Sequence, residues 1–141
     1  MPGFHDVEAI TVYPTDPKDS FRVPTVEKAA GFEIHLEGEA GNGVTGPSSI
    51  TPYTAAIQIF NLTQFKLVKV DTPAGNATGN IGVGQTWNVN NQAFVFTVAP
   101  GSPHINVGDL LEVIGTIRSG NPSGDATNDF SRVRSELFEV I

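Results

Sequence analysis

Cysteine is absent from this 141-residue sequence, which excludes disulfides, thiolate zinc sites and cysteine nucleophiles. Charge is sparse as well, at 16% of residues, and leans acidic, so the net charge is −7. Long-range attraction to DNA, RNA or anionic lipid is therefore disfavoured. No basic patch offsets this; Arg132 and Arg134 are the densest cationic pair. No apolar run approaches the roughly 20 residues that span a bilayer. The N-terminus, Met1-Pro2-Gly3-Phe4-His5-Asp6, has neither a basic nor an apolar region of the kind a signal peptide needs. Membrane insertion and nucleic-acid binding are not expected, and the sequence leaves localisation open.

Glycine and proline are plentiful, with 15 and 10 copies, so the chain is rich in turns. Its length predicts one domain over residues 1–141, enough to bury a core without staples. The spacing predicts strands over 7–13, 32–39, 53–62, 65–70, 93–98, 107–118 and 132–140, with 21–30 as an edge segment and no clear helix. Loops are expected over 40–52 and 71–85, the latter including the glycine-rich run Gly79 to Gly84.

The most informative stretch is Val107-Gly108-Asp109-Leu110-Leu111-Glu112-Val113-Ile114-Gly115-Thr116-Ile117-Arg118. Gly108-Asp109 is a turn pair. After it, Leu111, Val113, Gly115 and Ile117 share one wholly non-polar face, and Leu110, Glu112, Ile114, Thr116 and Arg118 share a mixed one. This period of two marks a strand buried on one side and half-covered on the other. Val, Ile and Thr lose rotamer freedom in a helix, so the helical alternative is weaker. The stretch is expected to be a central strand. Phe32-Glu33-Ile34-His35-Leu36-Glu37-Gly38-Glu39 alternates most cleanly, with Phe32, Ile34 and Leu36 inward and Glu33, His35, Glu37 and Glu39 outward.

Together these signals predict an all-β fold of about seven to eight strands, an antiparallel sandwich or barrel. The stretch 107–118, followed by a polar loop and Ser135-Glu136-Leu137-Phe138-Glu139-Val140, resembles the last two strands of bacterial immunoglobulin-like or fibronectin type III-like domains. Leu111 stands where a tyrosine-corner aromatic would be, and the antibody cysteine pair is missing. The resemblance implies an antiparallel two-sheet immunoglobulin-like β-sandwich and no functional residue.

Candidate chemistry is thin. Glu33, His35 and Glu37 leave one strand face two residues apart, a spacing at which His and carboxylates can share a divalent metal. A solvated acidic face explains the same pattern. Asp16 with Asp19, and Asp125 with Asn128 and Asp129, offer oxygens for calcium, or for ordinary turns. Trp87, Tyr53 and Tyr13 could stack on a sugar ring, or complete the core. His5, His35 and His104 lie in no hydrolase context, and Gly79 to Gly84 has no Lys and opens no helix. Asn61-Leu62-Thr63 and Asn76-Ala77-Thr78 match the glycosylation triplet. No cofactor is implied. The reading is a non-catalytic module that mediates protein contacts, by a separate partner or by self-association, or forms part of an assembly. The alternative is a carbohydrate-binding module with a loop calcium.

Overall fold

The computed structural model describes residues 7–40, 51–68, 78–81, 92–119 and 129–141. They form ten strands and no helix: β1 (Val7–Thr15), β2 (Thr25–Val26), β3 (Phe32–Ala40), β4 (Thr51–Asn61), β5 (Lys66–Val68), β6 (Thr78–Ile81), β7 (Gln92–Val98), β8 (Leu110–Ser119), β9 (Asp129–Arg134) and β10 (Phe138–Val140). One sheet has the order β1-β3-β7; the larger runs β2-β10-β8-β4-β5, with β6 also on β4 and β9 also on β8. Every pairing is antiparallel except β2 with β10. The fold is the all-β, two-sheet sandwich expected. No described helix is long and apolar enough to cross a membrane.

β8 is central because both its edges are occupied. β4 accompanies it from Tyr53 opposite Ser119 to Asn61 opposite Leu111, while β9 and β10 share its other edge. Its inward residues Leu111, Val113, Gly115 and Ile117 are buried. They join a core with Phe32, Ile34 and Leu36 of β3 and Phe94, Phe96 and Val98 of β7. Burying each large side chain is worth about 1.5–3 kcal/mol, so this alternation is what holds the two sheets together.

The strand count exceeds the expected seven to eight for two local reasons. The segment read as one strand over 132–140 is two, separated at Ser135. Ile114 faces Arg134 but Leu111 faces Phe138, so three steps along β8 match four along its partner. The extra residue is a bulge, and it switches the inward phase from Val133 to Phe138 and Val140. Ser135 sits at the jog, its Oγ accepting from Val113 N–H at 2.9 Å and donating to Glu136 O at 2.8 Å. The second reason is β6, which pairs with Thr51–Thr54 of β4 inside the stretch read as loop 71–85. Glycine and asparagine, the middle residues of β6, are poor strand formers by propensity, but a long neighbour with an open edge overrides that.

A second bulge interrupts β1. Ala9 pairs with Gly38 and Thr11 with Glu37, leaving Ile10 over and exposed. At this point β1 packs against β9, and Ala9 N–H donates to Ser131 Oγ at 2.8 Å, closing the seam between the two sheets.

Candidate functional site

The outer face of β3 carries Glu33, His35 and Glu37, the metal candidates of the sequence. Glu33, Glu37 and Glu39 are half-buried there, but His35 is only 8% exposed, not the solvent-facing residue its alternation predicts. β3 is the middle strand of its sheet, and Tyr13 of β1 and Val95 of β7 flank His35 in register. The Tyr13 ring stacks on the imidazole at 5.5 Å, and the Arg22 guanidinium lies 5.0 Å over the same Tyr13 ring. Among the described residues, His35 Nε2 has no hydrogen-bond partner.

The two flanking carboxylates brace neighbouring groups. Tyr13 O–H donates to Glu37 Oε1 at 3.3 Å, and Lys18 N–H donates to Glu33 Oε1 at 2.6 Å. Burial, the Glu37 charge and that hydrogen bond push the Tyr13 phenol up, against the smaller opposing effect of Arg22. Among the described residues, no three His, Cys, Asp or Glu are grouped to hold a metal ion.

The other sequence candidates scatter. Trp87, His5, Asn76, Asp125, Asn128 and the run 82–84 lie outside the described residues. Tyr53 is placed by its backbone alone, in β4 opposite Ser119 and Gly79. Tyr13 has both His35 and Arg22 on its ring, which leaves it poorly disposed to grip a sugar. Asp19 accepts from the backbone N–H groups of Ser20 and Phe21, the ordinary work of a turn aspartate, and Asp19 N–H donates to Asp16 O. Asp129 begins β9, opposite Ser119. His104 is exposed in a turn at φ 68°. Gly79 lies within β6.

A cleft of about 190 Å³ opens between residues 12–14, 22–24 and 136–138. Pockets for small molecules commonly enclose about 300–1,000 Å³, so this one is small for such a role.

The hairpin turn between β4 and β5 falls where the spacing of the two strands puts it, around Asn61 to Gln64; the feature that sequence reasoning missed is the buried knot beneath it. Asp109, buried at the entry to β8, accepts from Asn61 Nδ2 at 2.7 Å, Gln64 Nε2 at 2.8 Å and Asn106 N–H at 2.8 Å. Asn61 Nδ2 also donates to His104 O at 2.7 Å, and Asn61 Oδ1 accepts from Gln64 N–H at 3.1 Å. Outside this knot, Leu110 N–H donates to Thr63 Oγ1 at 2.9 Å. Burial would raise the Asp109 carboxyl. The hydrogen bonds from Asn61, Asn106 and Gln64, with the Lys28 charge, outweigh it and hold the group below its ordinary value. Asn61 is 1% exposed with its amide committed, so the folded chain presents no glycosylation acceptor there.

The knot holds an apolar tip rigid. Phe65 is 94% exposed and sits at φ 55°, a left-handed conformation that a bulky side chain rarely adopts. Leu62, Leu67 and Leu110 are exposed beside it in chain and ladder. The available signal was a phenylalanine between Gln64 and Lys66 in a turn, where polar residues are the rule. Its brace was hidden because Asn61 and Asp109 are 48 residues apart.

No family model matches the chain, and no curated protein matches it. Among solved structures it is similar to the ASH / PapD-like domain 7 of human CEP192. The identity is 10% and the TM-score 0.45, over 94% of this chain and 87% of that one. A likeness at this level carries no argument about what the chain does.

Proposed function

We propose that residues 1–141 form a single non-catalytic β-sandwich module whose work is to hold another protein, with the β4–β5 turn as its anchor. One observation carries this reading: Phe65 stands almost fully in water on a turn that a buried hydrogen-bonded knot keeps in one conformation. Aromatic side chains presented without conformational freedom are the usual centres of binding energy at protein interfaces, because little entropy is lost when they dock. A bulky residue in left-handed backbone costs stability of order 1 kcal/mol and persists only where its surroundings hold it there, as the knot does here.

The test is a photo-reactive amino acid placed at position 65 and, separately, at exposed Thr97 on the three-stranded sheet, irradiated in extract of the producing cell. The expected result is a discrete adduct at position 65 alone, competed by unlabelled wild-type chain and not by Phe65→Ala chain. Equal labelling at the two positions, or competition by Phe65→Ala, would overturn the assignment.

A further inference from the structure

The seam where β1 meets β9 carries a second surface, independent of the Phe65 turn. On its β9 side, Phe130, Arg132 and Arg134 are exposed on one strand face, two residues apart. Arg134 pairs with Glu112 at 3.4 Å, while Arg132 has no ion-pair partner among the described residues. On the β1 side, Glu8 and Glu39 occupy directly opposed positions of the β1–β3 ladder. Like charges so placed are destabilising, and neither has a cation partner among the described residues. The Ala9–Ser131 hydrogen bond ties the two sides together. Ile10, turned out by its bulge and 42% exposed, adjoins that bond in sequence on one side, and Phe130, 58% exposed, adjoins it on the other.

The seam thus has an acidic flank, a basic flank and an apolar residue on each side. Such a surface is complementary to itself. A two-fold axis running along the seam lays the acidic flank of one copy on the basic flank of the other, twice. It also brings the apolar residues of both copies to the middle. Closed two-fold dimers are the commonest soluble oligomers, and in them each patch faces its own symmetry mate. Arg132 and Arg134 are spaced about 6.6–6.8 Å along β9, while Glu8 and Glu39 lie about 4.5–5.5 Å apart across their ladder, so the long arginine side chains of one copy can each reach a carboxylate of the other.

We propose that this chain forms a two-fold dimer through the β1–β9 seam, with Arg132 and Arg134 of each copy meeting Glu8 and Glu39 of the other around Ile10 and Phe130. The occupant is a second copy because the charge pattern is mirrored within one chain; a merely acidic partner would leave Glu8 and Glu39 opposed.

The test is light scattering on a sizing column over a concentration series. Wild type is expected to rise from 14.9 kDa toward twice that mass. Arg132→Glu with Arg134→Glu takes the net charge from −7 to −11 (−7 − 4), and Glu8→Arg with Glu39→Arg takes it to −3 (−7 + 4). Each pair of changes is expected to weaken dimerisation at least about tenfold, since each sets like charge against like. Loss in both variants excludes bulk repulsion as the cause, because their net charges move in opposite directions. Mixed in equal amounts, the two variants are expected to regain the dimer mass. Ile10→Glu should also dissociate it, whereas Phe65→Ala should not. Circular dichroism confirms that each variant is folded. A wild type that stays at 14.9 kDa throughout, a dimer that survives both charge reversals, or a mixture that stays monomeric would overturn the proposal.

Discussion

Gly115 in β8 faces Leu36 in β3 so closely that a β-carbon on the glycine would lie 2.6 Å from Leu36 Cδ1. Hydrogen in place of a side chain is what lets the two sheets meet here. Gly115→Ala is expected to cost about 1–3 kcal/mol, the usual penalty for overfilling a packed core. The obstructing atom is the end of a movable side chain, so Leu36→Val should cost less in the Gly115→Ala background than in wild type. Urea unfolding of the four chains of this double-mutant cycle measures the coupling, and simple additivity would contradict the contact.

A second glycine should be less forgiving. Gly31 has φ 74°, and a β-carbon there would come within 2.6 Å of the Val98 carbonyl oxygen, which belongs to a laddered strand. Gly101 has a similar φ of 70° but open space around it. Gly101→Ala is expected to cost about 1–2 kcal/mol, the strain of left-handed backbone alone. Gly31→Ala carries that strain plus the clash, and should lower the melting temperature further. Equal shifts would mean that the approach to Val98 relaxes freely.

The buried Asp109 carboxylate predicts an acid limb. Its folded value lies below its unfolded one, so its contribution is present above the unfolded value and is lost as pH falls through the folded value. Stability measured by denaturant titration should therefore decline as pH is lowered beneath the ordinary carboxylate range. Asp109→Asn replaces the carboxylate that accepts three hydrogen bonds with a neutral amide, a weaker acceptor that also brings an N–H2 donor into a site already filled by donors. It is expected to cost about 1–3 kcal/mol at neutral pH and to flatten that decline. A mutant whose acid limb matches wild type would show that other carboxylates govern it.

At the opposite extreme of pH, Tyr13 should be slow to ionise. Its folded value is raised, so the folded state keeps its proton longer, and the associated stability is present below the unfolded value and lost as pH rises through the folded one. Phenolate absorbance of the native protein is expected to include a component titrating above the ordinary tyrosine range. Glu37→Gln should bring that component down, because it removes the opposing charge. An unchanged titration would disprove the coupling.

Much of the architecture was readable, and the exceptions share a cause. Phe32, Ile34, Leu36, Leu111, Val113 and Ile117 declared their faces by alternation because both strands run without interruption. Ile10 and the Ser135 jog broke the alternation by one residue each, which a count along the chain cannot locate without its partner strand. His35 obeyed the period yet is buried, because the outer face of a middle strand can be roofed by a neighbour such as Tyr13. The Asn61–Gln64–Asp109 knot was illegible for a related reason. Each member reads as an ordinary turn residue, and only the meeting of β4 with β8 turns them into a brace.

The parallel β2–β10 pair has a bearing on time as well as shape. It sets Thr25 against Glu139, positions 114 residues apart (139 − 25), and Val26 against Val140. Contacts between such distant positions carry a large closure entropy before they return any stabilisation, so this ladder should be among the last to form. Refolding is then expected on the millisecond-to-second scale of long-range β topologies. During synthesis β2 must wait, its edge bare, until the far end of the chain has been made. In that interval the half-built sandwich depends on the charges around its open strands to keep from pairing with a neighbour.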